Sequence, residues 1–461
     1  MRTSPGAGRV LGGITTSRQA LVLVTVLLSS LLFPLTITGA SLALPGVEAD
    51  LSPGPNALSW VVNGYNACFA AFLAVTGVLA DALGRRRVFG CGVGLFLLAG
   101  IGCAVAGDVV ALIAARALSG LGAAAATTGG SSLLAATLPP AVRARAFGLL
   151  GAVLGAGLAF GPAAGGLLVA GFGWRAVFAV PAALAAAALL LVPLLPTAPG
   201  EPERRIDWPG AGLFTAALLL LIFGLNESAT LGTAGAALIG VVLVGTCAAF
   251  VVVERRSAEP LFELGLLRNR RFAAFALAAG TFMGVLVPLL VYLPSYLVTS
   301  LGFAPVRAGL WLLVLTAPTV FLPFAGSMLA RRVPPGVLVA AAVAVTGAGA
   351  ALVVTTGPGV AGSALVAALL CVGIGVGLSN GVLDGLAIGS VRSEQAGTAS
   401  GLFNTVRLTA EAVALAGAGA VVSAAGGVLG VEFAGALHLV CAALAAMTAI
   451  SAVAVLVLSR R

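Results

Sequence analysis

The sequence contains no lysine, one histidine, three tyrosines and six cysteines, and only 8% of its 461 residues are charged. A soluble domain carries about 25% charged residues, so a soluble globular protein is excluded. All 24 basic residues are arginine, and the net charge of +9 is dispersed through short loops between apolar runs. That dispersal excludes a nucleic-acid-binding face. Cys68, Cys91, Cys103, Cys247, Cys371 and Cys441 all fall inside apolar runs without metal-ligand spacing, and read as small packing residues. His438 stands apart from any cysteine or carboxylate, and reads either as a packed histidine or as a functional one. No metal site, cofactor site or nucleophile–base pair is expected, and no soluble catalytic domain fits between the runs.

What the chain has instead is apolar length: 60% of its residues are hydrophobic. A membrane span needs about 20 mostly apolar residues. That rule predicts an all-α integral membrane protein of fourteen transmembrane helices, running from 20–45 to 433–458. The first run, Ala20–Leu44, is too long for a signal-peptide core and is expected to stay in the mature chain. With the N-terminus inside, 20 of the 24 arginines fall in cytoplasmic segments, Arg175 and Arg307 face outward, and Arg116 and Arg407 lie within spans. Both termini are therefore expected in the cytoplasm.

Residues 1–19 read as an N-terminal tail and 20–196 as a first six-helix half. Residues 197–271 hold two extra helices with their loops, 272–458 a second half, and 459–461 the C-terminus. Gly326-Ser-Met-Leu-Ala-Arg-Arg, after the tenth span, weakly echoes Gly77–Arg87 after the second. Such internal repeats are the building plan of alternating-access transporters.

Several strings carry more than architecture. Gly77-Val-Leu-Ala-Asp81-Ala-Leu-Gly84-Arg85-Arg86-Arg87 joins two spans by a tight turn. Arg116 begins Arg-Ala-Leu-Ser-Gly-Leu-Gly inside the fourth span, where an arginine costs about 2.5–3.5 kcal/mol and must face the bundle or water. The fifth span carries Gly157, Gly161-Pro162 and Gly165-Gly166, a glycine-rich face with a bend. Trp60-Val-Val-Asn63-Gly-Tyr65 opens the second span.

Together these strings resemble the fourteen-helix drug:proton antiporter branch of the major facilitator superfamily. The resemblance extends over nearly the whole chain after the N-terminal tail. It implies a major facilitator fold, two six-helix halves plus two extra central helices. It also implies a multi-pass monomer in the bacterial cytoplasmic membrane that exports lipophilic or cationic small molecules in exchange for protons. No cofactor is implied, the proton gradient being the energy source. Gly77, Asp81, Gly84, Arg85 and Arg86 would form the conformational-switch loop, and Gly157, Gly161, Pro162, Gly165 and Gly166 the antiporter helix. Thr36, Ser41, Asn63, Tyr65, Asn380 and Asn404 are expected at the substrate cavity.

The sequence departs from that branch in the first helix. Thr36 and Ser41 stand where the branch has an aspartate and an asparagine, so a proton carrier is needed elsewhere. Arg116, Asp384, Arg407 and Glu411 are the coupling candidates. Asp384 reads either as a solvated vestibule residue or as a coupling acid. Glu411 reads either as half of a buried pair with Arg407, four residues earlier, or as a protonation site. The missing aspartate also keeps open a facilitator or uptake transporter of a small metabolite, without proton exchange.

Overall fold

The computed structural model describes residues 17–197, 207–257, 260, 262–357, 362–392, 396–425 and 432–459. Arg2, Arg9, Arg204, Arg205, Arg460 and Arg461 lie outside the described residues, as does the side chain of Asn380. The described residues form fourteen α-helices and no strand. They are α1 (Ser17–Leu51), α2 (Pro55–Leu83), α3 (Arg85–Val105), α4 (Val109–Thr137), α5 (Pro140–Phe172), α6 (Ala176–Leu191) and α7 (Trp208–Asn226). The rest are α8 (Ser228–Arg256), α9 (Arg270–Thr299), α10 (Pro305–Leu329), α11 (Pro335–Val353), α12 (Gly362–Ile388), α13 (Ala396–Ala424) and α14 (Phe433–Ser459).

Helices are forced by the solvent: in hydrocarbon every backbone N–H and C=O must be satisfied within the segment. Starts are marked by residues suited to the first turn. Proline occupies it in α2, α5, α7, α10 and α11. Asp108 caps α4 by accepting from Ala111 N at 2.9 Å, and Asp207 caps α7 by accepting from Gly210 N at 2.9 Å. α1 runs on through Pro45 to Leu51, beyond the expected end at residue 45. α6 stops earlier than expected, at Leu191, and passes into a short 3₁₀ turn at Val192–Leu194 that contains Pro193.

Helix pairings in the first half recur in the second, eight helices later. α1 packs on α5 and α6, α2 on α4, and α3 on α4 and α6; α9 packs on α13 and α14, α10 on α12, and α11 on α12 and α14. α7 and α8 stand outside this repeat. α8 lies mainly against α7 and exposes Leu238, Val241 and Val244 to the bilayer side. α9 is the opposite case, buried almost throughout from Phe272 to Leu297.

Close approach rests on missing side chains, since lipid gives apolar helices no hydrophobic reason to associate. A Cβ on Gly122 would lie 2.6 Å from Phe96 N, and one on Gly129 2.6 Å from Phe89 N, so α3 and α4 meet backbone to backbone. The two ends of the bundle differ in charge. One carries Arg85–Arg87, Arg255, Arg256, Arg270, Arg271, Arg331 and Arg332; the other is arginine-poor. At the poor end, Arg175 donates to Asp50 at 2.6 Å and lies 4.2 Å over the Trp174 ring, whose Nε1 donates to the same carboxylate. Arg307 lies 4.3 Å over Phe303. Gly129→Val is expected to pry α3 from α4 at a cost of at least about 1–3 kcal/mol. Thermal unfolding in detergent should show it as a lowered midpoint; an unchanged midpoint would contradict this packing.

Candidate functional site

The turn between α2 and α3 is built on Gly84, whose φ of 103° lies where a side chain is strained. Asp81 faces Arg85 at 3.8 Å across one helical turn. Arg86 donates to Leu195 O at 2.7 Å, tying the turn to the end of α6. Gly77 meets only Thr128 Cγ2 of α4, at 3.9 Å from where its Cβ would be. The turn is thus fastened within the first half, to the end of α6.

The glycines of α5 have two neighbours. A Cβ on Gly157 would lie 2.7 Å from Pro34 Cγ, one on Gly161 would strike Thr38 Oγ1, and one on Gly165 would lie 2.8 Å from Gly39 Cα. Those three therefore seat α1. Gly166 faces the other half, its Cβ position 2.6 Å from Pro305 O of α10, and Gly309 of α10 presses on Pro162 O. The Gly-Pro-x-x-Gly-Gly string is where the backbones of the two halves touch.

Arg116 is wholly buried in α4. Its Nε donates to Val61 O at 2.7 Å, and its guanidinium lies 4.5 Å over the Tyr65 ring and 5.6 Å from that of Phe178. Both terminal nitrogens are buried without a hydrogen-bond partner. Tyr65, its phenol donating to Phe33 O at 3.4 Å, covers this arginine and is itself fully buried.

The other polar candidates are distributed as follows. Thr36 donates to Leu32 O of its own helix at 2.9 Å and Ser41 to Thr38 O at 2.8 Å, both buried. Asn63 Nδ2 donates to Asn226 Oδ1 of α7 at 2.7 Å. Asn404 is half-buried in α13. Asp384 and Arg407 come together across α12 and α13, lining a cavity of about 10 Å³ with Phe282, Met283 and Phe403. That is room for about one water molecule. Glu411 is buried one turn further along α13. No ion pair within 4.0 Å joins it to Arg407 among the described residues, and that arginine lines the Asp384 cavity. A larger space of about 430 Å³ lies at the arginine-rich end, between Glu263, Asn269, Ser390 and Arg392, where Asn269 Nδ2 donates to Ser390 O at 2.7 Å.

Three polar residues at the arginine-poor end escape sequence reasoning: Asn226, Glu227 and Tyr292. Asn226-Glu227 is legible only as the end of an apolar run, and Tyr292 only as an aromatic within one. In space they meet α2: Trp60 Nε1 donates to Glu227 at 2.6 Å, while Asn226 holds Asn63. At this end the halves are closed on each other. Ser59 and Ser423 share a hydrogen bond of 2.9 Å between α2 and α13, and Ser295 Oγ of α9 donates to Ser41 O at 3.3 Å. At the other end, among the described residues, neither α4 nor α5 packs comparably on α12 or α13.

Two pseudo-repeated six-helix halves, closed at one end and parted at the other around buried polar groups, define a secondary transporter of the alternating-access class. The chain belongs to the Major Facilitator Superfamily, whose family model matches residues 26–415. It is 31% identical over 414 residues to the multidrug resistance protein Stp of Mycobacterium tuberculosis, covering 88% of this chain and 76% of that one. It is 34% identical over 395 residues to a probable actinorhodin transporter of Streptomyces coelicolor, covering 80% and 66%. Against the puromycin resistance protein pur8 of Streptomyces alboniger the identity is 32% over 402 residues, covering 86% and 80%. Among solved structures, the POT family transporter PepTSo superposes with a TM-score of 0.70 over 95% of this chain and 97% of that one, at 16% identity, a likeness of fold alone.

Gly161→Val would drive a side chain into Thr38 and part α5 from α1, overpacking that costs about 1–3 kcal/mol. Transport should fall at least tenfold at matched membrane abundance. Unimpaired transport would remove α5 from the working parts.

Proposed function

We propose that the protein exports small amphipathic molecules, antibiotics among them, from the bacterial cytoplasm in exchange for protons. The arginine-rich end and both termini face the cytoplasm in this reading, so the conformation described is open inward and closed outward. The observation that carries the coupling assignment is the second half's set of membrane-depth charges: Asp384 and Arg407 sharing a cavity, with Glu411 buried next to them on α13. The curated relatives named for drug resistance and antibiotic export support the direction and the cargo class.

Glu411, or Asp384, takes up a proton from outside while the outer end is open, and that protonation favours release of cargo. After the halves rock inward, the proton leaves to the cytoplasm and the bare carboxylate receives cationic or hydrogen-bonding cargo. Such a cycle runs only because proton and cargo bind the two states differently. Arg407 keeps the site from carrying two uncompensated negative charges. Arg116 is held by Val61 O and its rings at the wall of the first half, and it fixes α2 against α4. The protein works as a monomer and needs no cofactor, the proton gradient supplying the energy.

A second reading, a facilitator or uptake carrier without proton exchange, is favoured by one observation. Thr36 replaces the expected acid and spends its hydroxyl on its own helix. Inside-out vesicles with an acidic interior and a pH-sensitive dye separate the two. Lipophilic cations and neutral antibiotics should trigger proton leakage with the intact protein. Glu411→Gln or Asp384→Asn should abolish it by at least tenfold. Labelled-compound transport without proton movement would establish the facilitator instead.

A further inference from the structure

The extra helices α7 and α8 interrupt the repeat, and α7 touches both halves, α2 on one side and α13 on the other. Its two contacts are made of different chemistry. Toward α2 they are hydrogen bonds along the length of the helix. Thr215 Oγ1 donates to Ala71 O at 2.9 Å, Asn63 Nδ2 donates to Asn226 Oδ1 at 2.7 Å, and beyond the helix end Trp60 Nε1 donates to Glu227 at 2.6 Å. All three α2 positions, at spacings of three and eight residues, lie on one helical face.

Toward α13 the contact is smooth. Leu218 and Ile222 of α7 share one apolar cluster with Ala412 and Ala416 of α13 and with Ala67, Ala70 and Ala71 of α2, and Gly419 continues the α13 face one turn outward. The node at Gly419 shows the same division. A Cβ there would lie 2.6 Å from Asn63 Nδ2, 3.2 Å from Asn226 Oδ1 and 2.9 Å from Tyr292 OH of α9. The two amides bond each other, and the Tyr292 hydroxyl, from the second half, lies buried beside them.

We infer that α7 and α8 travel with the first half, and that the sliding seam runs between α2–α7 on one side and α9–α13 on the other, through Gly419. The inference rests on the alternating-access reading of the fold and not on proton coupling. Asn226 and Glu227 are then positioning residues, which keep α7 on α2 while Ala412, Ala416 and Gly419 slide past. Polar bonds must break and be remade if they cross a moving seam, whereas small apolar faces pass at little cost. At the outer tip the seam is crossed by the Ser59–Ser423 bond. Glycine at 419 is what allows the outer end to close over the amide pair.

The test measures distances by double electron–electron resonance on the full-length protein in nanodiscs, in a cysteine-free background. Labels are placed at Gly54, Thr233 and Ala424, all exposed at the outer end. Gly419→Trp wedges the outer end open, and the milder Gly419→Ala serves as a second variant if the first folds poorly. The Gly54–Ala424 and Thr233–Ala424 distances should both lengthen, with Thr233–Gly54 unchanged. A lengthened Thr233–Gly54 distance would place α7 with the second half and overturn the inference. So would an outer end that does not move in either variant, since the seam would then not pass through Gly419. Adding Trp60→Phe with Asn226→Leu should release α7 and broaden the Thr233–Gly54 distribution; an unaltered distribution would show that those bonds do not hold it. Proton leakage in vesicles is read separately, so failure of the antiport reading leaves these distances interpretable.

Discussion

Backbone-to-backbone contact between α5 and α10 is what the two-half arrangement depends on. Gly166 lies against Pro305 O and Gly309 against Pro162 O, with no side chain between. Lipid is as apolar as leucine, so helices inside a bilayer associate through close dispersion contacts and not through escape from water. Those contacts fall off steeply with separation, and only residues without a Cβ bring two helices this near. The same device holds α5 on α1 and α3 on α4. The difference lies in number: within a half several such faces act together, while between halves the α5–α10 face is helped by two serine hydrogen bonds at one end. A molecule built this way stays intact as two rigid bodies and yields at the line between them.

The charges follow a second economy. Arg116 and Arg407 both lie at membrane depth, yet their surroundings differ. Arg116 is sealed by Tyr65 and Phe178 and anchored on a carbonyl of α2, so its charge is held inside the first half. Arg407 is half-buried and opens on the cavity shared with Asp384. Because Thr36 has no acid to offer, the membrane-depth carboxylates all belong to the second half. In the proposed cycle the polarity that changes is therefore concentrated on α12 and α13, while the first half presents glycine faces and a buried arginine.

Much of this was legible in the residues. Span number, helix starts and the two-half plan follow from apolar length, prolines and the placement of arginine, because the bilayer permits so few alternatives. The glycine string in α5 was legible as a packing face; that it divides its contacts between α1 and α10 was not, since the partners are remote in the chain. Proximity in sequence misleads at Glu411. The four-residue spacing to Arg407 suggests an intrahelical pair, but no ion pair within 4.0 Å joins the two among the described residues, and Arg407 lines a cavity with Asp384 of another helix. Asn63 and Asn226, 163 positions apart, are joined by nothing a single sequence displays. Helix ends were set wrong at α1 for a related reason: Pro45 reads as a stop, yet a membrane helix carries it when neighbours satisfy the freed carbonyl.

Glu411 and the smooth face of α13 are adjacent in the chain, Ala412 being the first residue of that face. A rigid helix cannot slide Ala412, Ala416 and Gly419 past α7 without carrying Glu411 across the flank of α2. The carboxylate's surroundings on that side would change in the same movement. In the proposed cycle this removes the need for a separate relay between gate and proton site. The site's exposure is set by the relative position of the halves, and the charge on the site biases that position in return. Reciprocity of this kind is a thermodynamic requirement of any coupling between a binding event and a conformational change. In the proposed cycle a single helix supplies both the sliding surface and the titrating group.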